Sequence, residues 1–386
     1  MVNPYELAKK FRDRFGRTPR LFSAPGRVNL IGEHTDYNEG FVLPVAIEHN
    51  TIVAGLSTDD MCLRAYSLNY EELRELDLRA PKEVKKGDWL LYIQAIGQLL
   101  EKRGCKLKGL DLMIESDIPE GAGLSSSAAF EVSLGLALST LCNAHVEKLD
   151  LVLIGQETEH KYIGTNSGIM DQFISMFGKK DHALLIDCRS NTAEEVPMNM
   201  TDLALVICDS RIKHNLASSE YNTRRRECEE AVRYIQQEMP NVKSLRDVTL
   251  EDFERLKHII PQPACKRARH VITENMRTLE AAEAFRHDKF DVLGSLMLAS
   301  HESLRDDYEV SIRELDILVE AAYSVEGIVG ARMTGGGFGG CTVNIVHRDA
   351  IEDFRDIVAL KFKQQTGREL DFYVTEIEDG AKEIEV

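Results

Sequence analysis

Long apolar runs are missing from this 386-residue chain. No stretch approaches the roughly 20 consecutive apolar residues that cross a bilayer, which argues against a membrane-spanning helix. The start, Met1-Val2-Asn3-Pro4-Tyr5-Glu6, has no basic region followed by an apolar stretch, so no secretory leader is expected. Eight cysteines are scattered without a Cys-x-x-Cys pair, which speaks against a zinc site or a disulfide framework and leaves reduced core thiols. Positive charge is also scarce. A formal net charge of −17 disfavours nucleic acid and anionic membranes as partners, because binding phosphate backbones needs a positive field. A cytoplasmic protein is expected.

What is present describes a soluble globular chain, with 43% hydrophobic and 29% charged residues. At about 150 residues per domain, two domains are expected. The polar loop Cys188–Thr201, which holds Pro197, is the expected linker. The cut is taken as 1–195 and 196–386. Periodicity predicts a helix over 5–15, strands at 41–47, 51–56 and 62–67, a helix over 89–103 and a strand at 110–114. A long helix to about Cys142 follows, then another over 149–162 and a third capped by Ser167 and ending near Gly178. Strands 183–187 and 203–209 flank the linker. Beyond it the pattern is mostly helical, and strands 327–333, 341–347 and 369–375 around a helix over 350–366 suggest an α+β domain.

Four blocks carry chemistry. The first, Gly26-Arg27-Val28-Asn29-Leu30-Ile31-Gly32-Glu33-His34-Thr35-Asp36-Tyr37-Asn38, places a cation, two carboxylates, an imidazole, an amide and a phenol around two glycines. Such a ring of directional donors and acceptors suits a polyhydroxylated ligand. In the second, Pro119-Glu120-Gly121-Ala122-Gly123-Leu124-Ser125-Ser126-Ser127-Ala128-Ala129, Gly121 and Gly123 free the backbone ahead of an apolar helix. The N–H groups around Leu124–Ser127 can then point at an anion. No Walker A pattern occurs. The third, Arg332-Met333-Thr334-Gly335-Gly336-Gly337-Phe338-Gly339-Gly340-Cys341, formally contains Gly-x-Gly-x-x-Gly, yet a strand rather than a helix follows, so a dinucleotide fingerprint fails its context. Close backbone approach to a ligand explains five glycines better than a hairpin turn does. The fourth is Asp171, in Gly168-Ile169-Met170-Asp171-Gln172-Phe173, in the first turn of a predicted helix, where an acid ordinarily serves the helix dipole.

The first three blocks, in this order, resemble the signatures of galactokinases within the larger family of galactokinase, homoserine, mevalonate and phosphomevalonate kinases. His34-Thr35-Asp36-Tyr37 is the element that points to galactokinase among these relatives. The resemblance implies two domains, an N-terminal one like ribosomal protein S5 domain 2 and a ferredoxin-like C-terminal one, with the site between them. It implies galactose and ATP as partners, Mg²⁺ as cofactor, and a monomer or weak oligomer. Asp171 becomes the proposed base facing the anomeric hydroxyl, with Arg27 beside it. Phosphoryl transfer passes through a loose transition state, so such a base orients the hydroxyl and accepts its proton late.

Glu33, His34, Asp36, Gly168, Asp171 and Tyr221 would face the sugar. Gly121, Gly123, Leu124, Ser125, Ser126, Ser127, Gly336 and Gly337 would face ATP, and Ser127 with Glu159 would hold Mg²⁺, which favours a few hard oxygens. Trp89 matches a residue lining the adenine pocket in relatives, but it also falls on an apolar helical face, where core packing is an equal reading. Two rival functions share these motifs. One is a galactose- and ATP-binding regulator, whose relatives shorten the phosphate block that is intact here; the other is a kinase for a different sugar or for N-acetylgalactosamine.

Overall fold

The computed structural model describes residues 1–80, 82–212 and 217–385. Helix α1 (Pro4–Phe15) opens the chain, its first N–H groups capped by the Asn3 side chain. Strands β1 (Arg20–Asn29), β2 (Phe41–Val42), β3 (Pro44–Thr58), β4 (Cys62–Ser67) and β5 (Glu72–Asp77) precede helix α2 (Leu90–Lys102) and strand β6 (Gly109–Ser116). Then come α3 (Ser126–Leu141), α4 (Lys148–Thr158), a π-helical turn (Glu159–Ile163), α5 (Met170–Phe177), β7 (His182–Asp187), β8 (Thr192–Pro197) and β9 (Leu203–Asp209). The remainder is α6 (Ala217–Ile235), α7 (Leu250–Leu256), α8 (Ala264–Arg286), α9 (Phe290–Asp306), α10 (Arg313–Ala322), β10 (Ile328–Thr334), β11 (Cys341–His347), α11 (Ile351–Thr366), β12 (Asp371–Thr375) and β13 (Lys382–Ile384). None of the described helices is long and apolar enough to cross a membrane.

A six-stranded sheet runs β13-β1-β3-β6-β4-β5, a four-stranded one β10-β11-β9-β12, and a three-stranded one β2-β7-β8. Helices α2, α3, α4 and α5 cover one face of the first sheet through Phe22, Val53, Leu112, Ile96, Val132, Leu138 and Phe173. Alternation along β9 explains how the second sheet serves two cores. Val206 and Cys208 face the helices of the C-terminal half, whereas Leu205 and Ile207 face a shared core with Val28, Leu30, Val45 and Leu124. That shared core clamps the two halves together on either side of the site.

Three sequence expectations change here. Residues 41–47 and 51–56, expected as two strands, form the short β2 and one continuous β3, because the polar stretch around His49 stays extended rather than turning. The expected linker 188–201 contains β8, which pairs antiparallel with β7; its mostly exposed residues carry no apolar signal. Strand β5 went unread for the same reason, since in Glu72–Asp77 only Leu76 is buried. The expected cut at 195/196 falls inside β8, and β13 returns to pair with β1.

Candidate active site

Arg27 owes its aim to an irregularity in β1. Pro25 pairs with Asn50 but Arg27 with Ala46, so Gly26 faces residues 47–49 of the neighbouring strand. Such bulges re-aim side chains. The Arg27 guanidinium consequently turns inward and is almost wholly buried. Its Nε donates to Asp171 Oδ1 at 2.8 Å, one terminal nitrogen to Asp171 Oδ2 at 2.7 Å, and the other to the Gly123 carbonyl at 2.6 Å. Burial works against its charge, and the Asp171 carboxylate more than offsets this, so its pKa is raised.

The second block forms the floor. Ser125 occupies the position before α3 in a left-handed conformation, φ 60° and ψ 47°, and its hydroxyl does not cap the helix. Instead it donates to Asp171 Oδ2. The N–H groups of the first turn of α3 are left without a side-chain cap, and an anion is their natural partner. Leu124 is buried by its side chain in the shared core, while its carbonyl accepts from the Arg27 N–H at 3.2 Å; Gly121 and Gly123 are exposed on the rim.

Two cavities flank this floor. One, of about 270 Å³, is a mostly apolar slot between Tyr70, Trp89, Ile114, Ile118, Phe130 and the Ser126–Ser127 hydroxyls. Trp89 packs partly against the first core, and its ring also lines the slot, stacked with Tyr70 at 6.5 Å. The other, of about 340 Å³, is polar and is lined by Arg27, Glu33, His34, Asp36, Glu159, Gly168, Asp171, Tyr221 and Gly336. Ser127 and Tyr92 line both, so the cavities meet there.

Within the polar cavity the carboxylates differ. Glu33 is committed to protein partners: Arg332 donates to it at 3.0 Å, the Gly335 N–H at 2.7 Å and the Thr334 hydroxyl at 3.2 Å, with the Asn29 amide as a fourth donor. Burial nevertheless pushes its pKa up, the Arg332 charge opposing. Among the described residues the Asp36 side chain accepts one hydrogen bond, from the adjacent Tyr37 N–H at 2.9 Å. Burial, then the charge of Asp171, pushes it up to about 6. Gly168 is packed directly against it; a Cβ there would lie 2.0 Å from Asp36 Oδ2. His34 has both ring nitrogens engaged, Nδ1 with the Tyr37 hydroxyl at 2.8 Å and Nε2 with the Gly336 carbonyl at 3.2 Å. Tyr221 closes the cavity from α6, its ring 5.2 Å from those of His34 and Tyr37.

Glu159 sits in the π-helical turn, buried beside Ser127, Tyr92 and Glu131. Burial, then the Glu159 charge, pushes the pKa of Glu131 well above its ordinary value. Among the described residues no group of three or more His, Cys, Asp or Glu could hold a metal ion by itself. Ser127 and Glu159 do offer one hydroxyl and one carboxylate oxygen side by side, which fits an ion that takes its remaining ligands from phosphate and water.

A galactokinase galactose-binding signature matches residues 9–56, a GHMP kinase N-terminal domain residues 91–179, and a GHMP kinase C-terminal domain residues 281–364. Galactokinase of Roseiflexus sp. is 44% identical over 98% of this chain and 97% of its own length. That of Fusobacterium nucleatum is 44% identical over 98% and 99%. The chain belongs to the galactokinase family. A crystal structure of Lactococcus lactis galactokinase complexed with galactose superposes with a TM-score of 0.95 at 38% identity, covering 98% of this chain and 99% of that one. The fold is accordingly the α+β architecture of these kinases, S5 domain 2-like then ferredoxin-like. Methanococcus jannaschii mevalonate kinase shares the fold alone, with a TM-score of 0.68 at 17% identity.

Against this galactokinase frame, three expectations shift. Gly336, expected to face ATP, lines the polar cavity and not the apolar slot. Gly337 lines neither cavity; it packs on Val310, whose carbonyl would lie 2.5 Å from an added Cβ, and it therefore shapes the loop that Gly336 presents. Ser167 does not cap α5, whose first flanking residue is Ile169; its hydroxyl is uncommitted on the polar cavity wall. Sequence reasoning missed Tyr92, Glu131 and Gln172. Tyr92 stands three residues after Trp89 and Glu131 four after Ser127, so helical spacing puts each beside a residue already chosen.

Proposed function

We propose that this chain transfers the γ-phosphoryl group of ATP to the anomeric hydroxyl of galactose, giving galactose 1-phosphate and ADP. The observation that carries this is the junction of an apolar slot and a polar cavity at Ser127, beside a carboxylate held by Arg27. Adenine takes the slot against Trp89, and the phosphates run over Gly121, Gly123 and Leu124 to the uncapped N–H groups at Ser125–Ser127. Galactose takes the polar cavity among Glu33, His34, Asp36, Gly168, Asp171 and Tyr221, with Gly336 on its far wall.

Asp171 orients the anomeric hydroxyl and takes its proton late, as a loose transition state allows. Both its oxygens are tied to Arg27, and the Ser125 hydroxyl fixes one further, so the carboxylate cannot swing away from the hydroxyl. Arg27 also lends positive charge to the transferring group. Mg²⁺ fits at Ser127 and Glu159, and when bound it would neutralise phosphate charge. The polar ring supplies specificity. Galactose and glucose differ in the direction of one hydroxyl, and fixed hydrogen-bonding groups reject a mismatch that apolar packing would tolerate. A protein drawing on ATP fits the cytoplasm.

A coupled ADP-release assay over galactose, glucose, N-acetylgalactosamine and no sugar tests the reading. Galactose should exceed glucose by at least about 10³ in kcat/KM. Galactose-dependent ADP release no greater than the no-sugar control overturns it, and would favour a sugar-binding regulator.

A further inference from the structure

Residues 32–41 close into a loop where β1 leads to β2. The chain meets itself at the neck: the Leu30 N–H donates to the Leu43 carbonyl at 3.1 Å and the Leu43 N–H to the Ile31 carbonyl at 3.0 Å. The ends touch, since a Cβ on Gly32 would lie 2.7 Å from the Phe41 carbonyl oxygen. Compact loops with joined ends commonly carry function. This one carries Asp36, whose side chain accepts one hydrogen bond among the described residues and keeps lone pairs for a ligand in the polar cavity. The loop backbone is held against its own preference, because His34 and Glu39 both lie in the left-handed region, at φ 63° and 58°. Such conformations persist only where the surroundings over-determine them.

One helix of the C-terminal half does this. Three buried side chains of α8 each bond a backbone group of the loop: Glu274 Oε1 accepts from the Gly32 N–H at 3.0 Å, Asn275 Oδ1 accepts from the Phe41 N–H at 2.9 Å, and His270 Nε2 donates to the Glu33 carbonyl at 3.0 Å. Glu274 and Asn275 are consecutive, so they leave the helix about 100° apart and reach the two ends of the loop at once. The pins are themselves held. Glu274 accepts from the Ser300 hydroxyl at 2.5 Å and from Arg277 Nε at 2.7 Å. Burial pushes the His270 imidazole down to about 4, so the ring is neutral and its Nδ1 accepts from the Ser303 hydroxyl at 2.9 Å. Asn275 Oδ1 also sits against Gly40, where a Cβ would lie 2.3 Å from it. None of the three side chains lines either cavity.

We propose that Asn275, with Glu274 beside it, is a positioning residue for sugar recognition: pinning the two ends of the 32–41 loop from the C-terminal half, the pair sets where Asp36 stands in the polar cavity. Every residue lining the apolar slot lies outside this loop, and Arg27 and Asp171 are carried by β1 and α5. Loosening the pin therefore disturbs the sugar contacts and spares both the nucleotide slot and the base. This rests on the galactose reading above.

The test joins hydrogen exchange to kinetics on the full chain. Asn275→Leu keeps the volume and removes the acceptor, whereas Asn275→Asp keeps the acceptor. In the ligand-free protein, Asn275→Leu should speed amide exchange across residues 32–41 by roughly 3- to 10-fold, the worth of one net hydrogen bond, with peptides from α3 and β6 unchanged. KM for galactose should rise by roughly the same 3- to 10-fold while kcat and KM for ATP stay within about twofold. Asn275→Asp should return both readouts toward wild type. A purely structural role would speed exchange throughout the chain and shift both KM values together, and that result overturns the proposal. So does an unchanged loop exchange rate, or an unchanged KM for galactose. Asn275→Ser also withdraws the acceptor from Phe41, with a smaller side chain, and takes the place of the leucine variant where that one does not fold. Exchange needs no substrate, so it decides the pin even where the galactose reading fails.

Discussion

Arg27 and Asp171 meet through two parallel hydrogen bonds of 2.8 and 2.7 Å, so a side chain on β1 and one on α5 act as a single rigid group. Fork-on-fork pairing of this kind gives geometric precision that a lysine cannot reproduce. It also explains why a first-turn acid, which ordinarily serves the helix dipole, is turned into the cavity.

Asp171→Asn keeps the shape and removes the proton acceptor. The expected result is a loss on the order of 10² to 10⁴ in kcat, with galactose and ATP binding by calorimetry little changed. A folded variant with near wild-type kcat removes Asp171 from the base role.

Asp36 should give the enzyme an acid limb near pH 6, where its buried carboxyl takes a proton and stops accepting from the sugar. KM for galactose should rise as pH falls through that value, and Asp36→Asn should flatten the limb. The same burial has a stability sign. The native state holds this proton more tightly than the unfolded chain, in which the carboxyl has its ordinary value of 3.8, so raising the pH from there to about 6 costs stability. Without sugar, Asp36→Asn should therefore melt higher than wild type above pH 6, by up to about 3 kcal/mol, with the gap closing toward pH 4. Equal melting curves at both pH values contradict the shift.

Gly168→Ala places a methyl group on the Asp36 carboxylate. Galactose affinity should fall by at least about tenfold while nucleotide affinity holds, since overpacking of this size costs roughly 1–3 kcal/mol and is local. Titration of each ligand by calorimetry separates the two.

Trp89 is the only tryptophan, so emission excited at wavelengths that tyrosine does not absorb reports on the apolar slot alone. ATP or ADP should change the emission, and galactose should not. Glu159→Ala should leave that nucleotide signal intact yet raise the Mg²⁺ concentration needed for half-maximal activity. An unchanged Mg²⁺ dependence takes Glu159 out of the site.

Much of the site was legible because it is built from contiguous blocks. Residues 26–38 and 119–129 each fall on one strand end or one helix start, so their order along the chain is also their order in space. What was not legible is the bonding that crosses the chain. Nothing in the sequence says that Ser125 abandons its cap for Asp171, or that Glu33 spends its lone pairs on Arg332, some 300 residues away. The Asn275 link to Phe41 was hidden for the same reason. Periodicity found β9 and β11 to the residue, because each alternates cleanly or is bounded by breakers, and it failed for β5 and β8, whose outward faces are charged. Strand β13 was also unread: three residues, two of them exposed, carry too little pattern to mark a strand.

That last strand bears on how the protein comes into being. Leu21, Phe22 and Ser23 pair with Ile384, Glu383 and Lys382, so the outer edge of β1 lacks its neighbour until residues 382–384 have been synthesised. Arg27 lies further along that same strand. A ribosome-bound chain lacking this segment therefore exposes an unpaired sheet edge, the kind of surface that recruits other strands or chaperones. Full pairing of the strand that carries Arg27 thus waits for residues far along the chain from it.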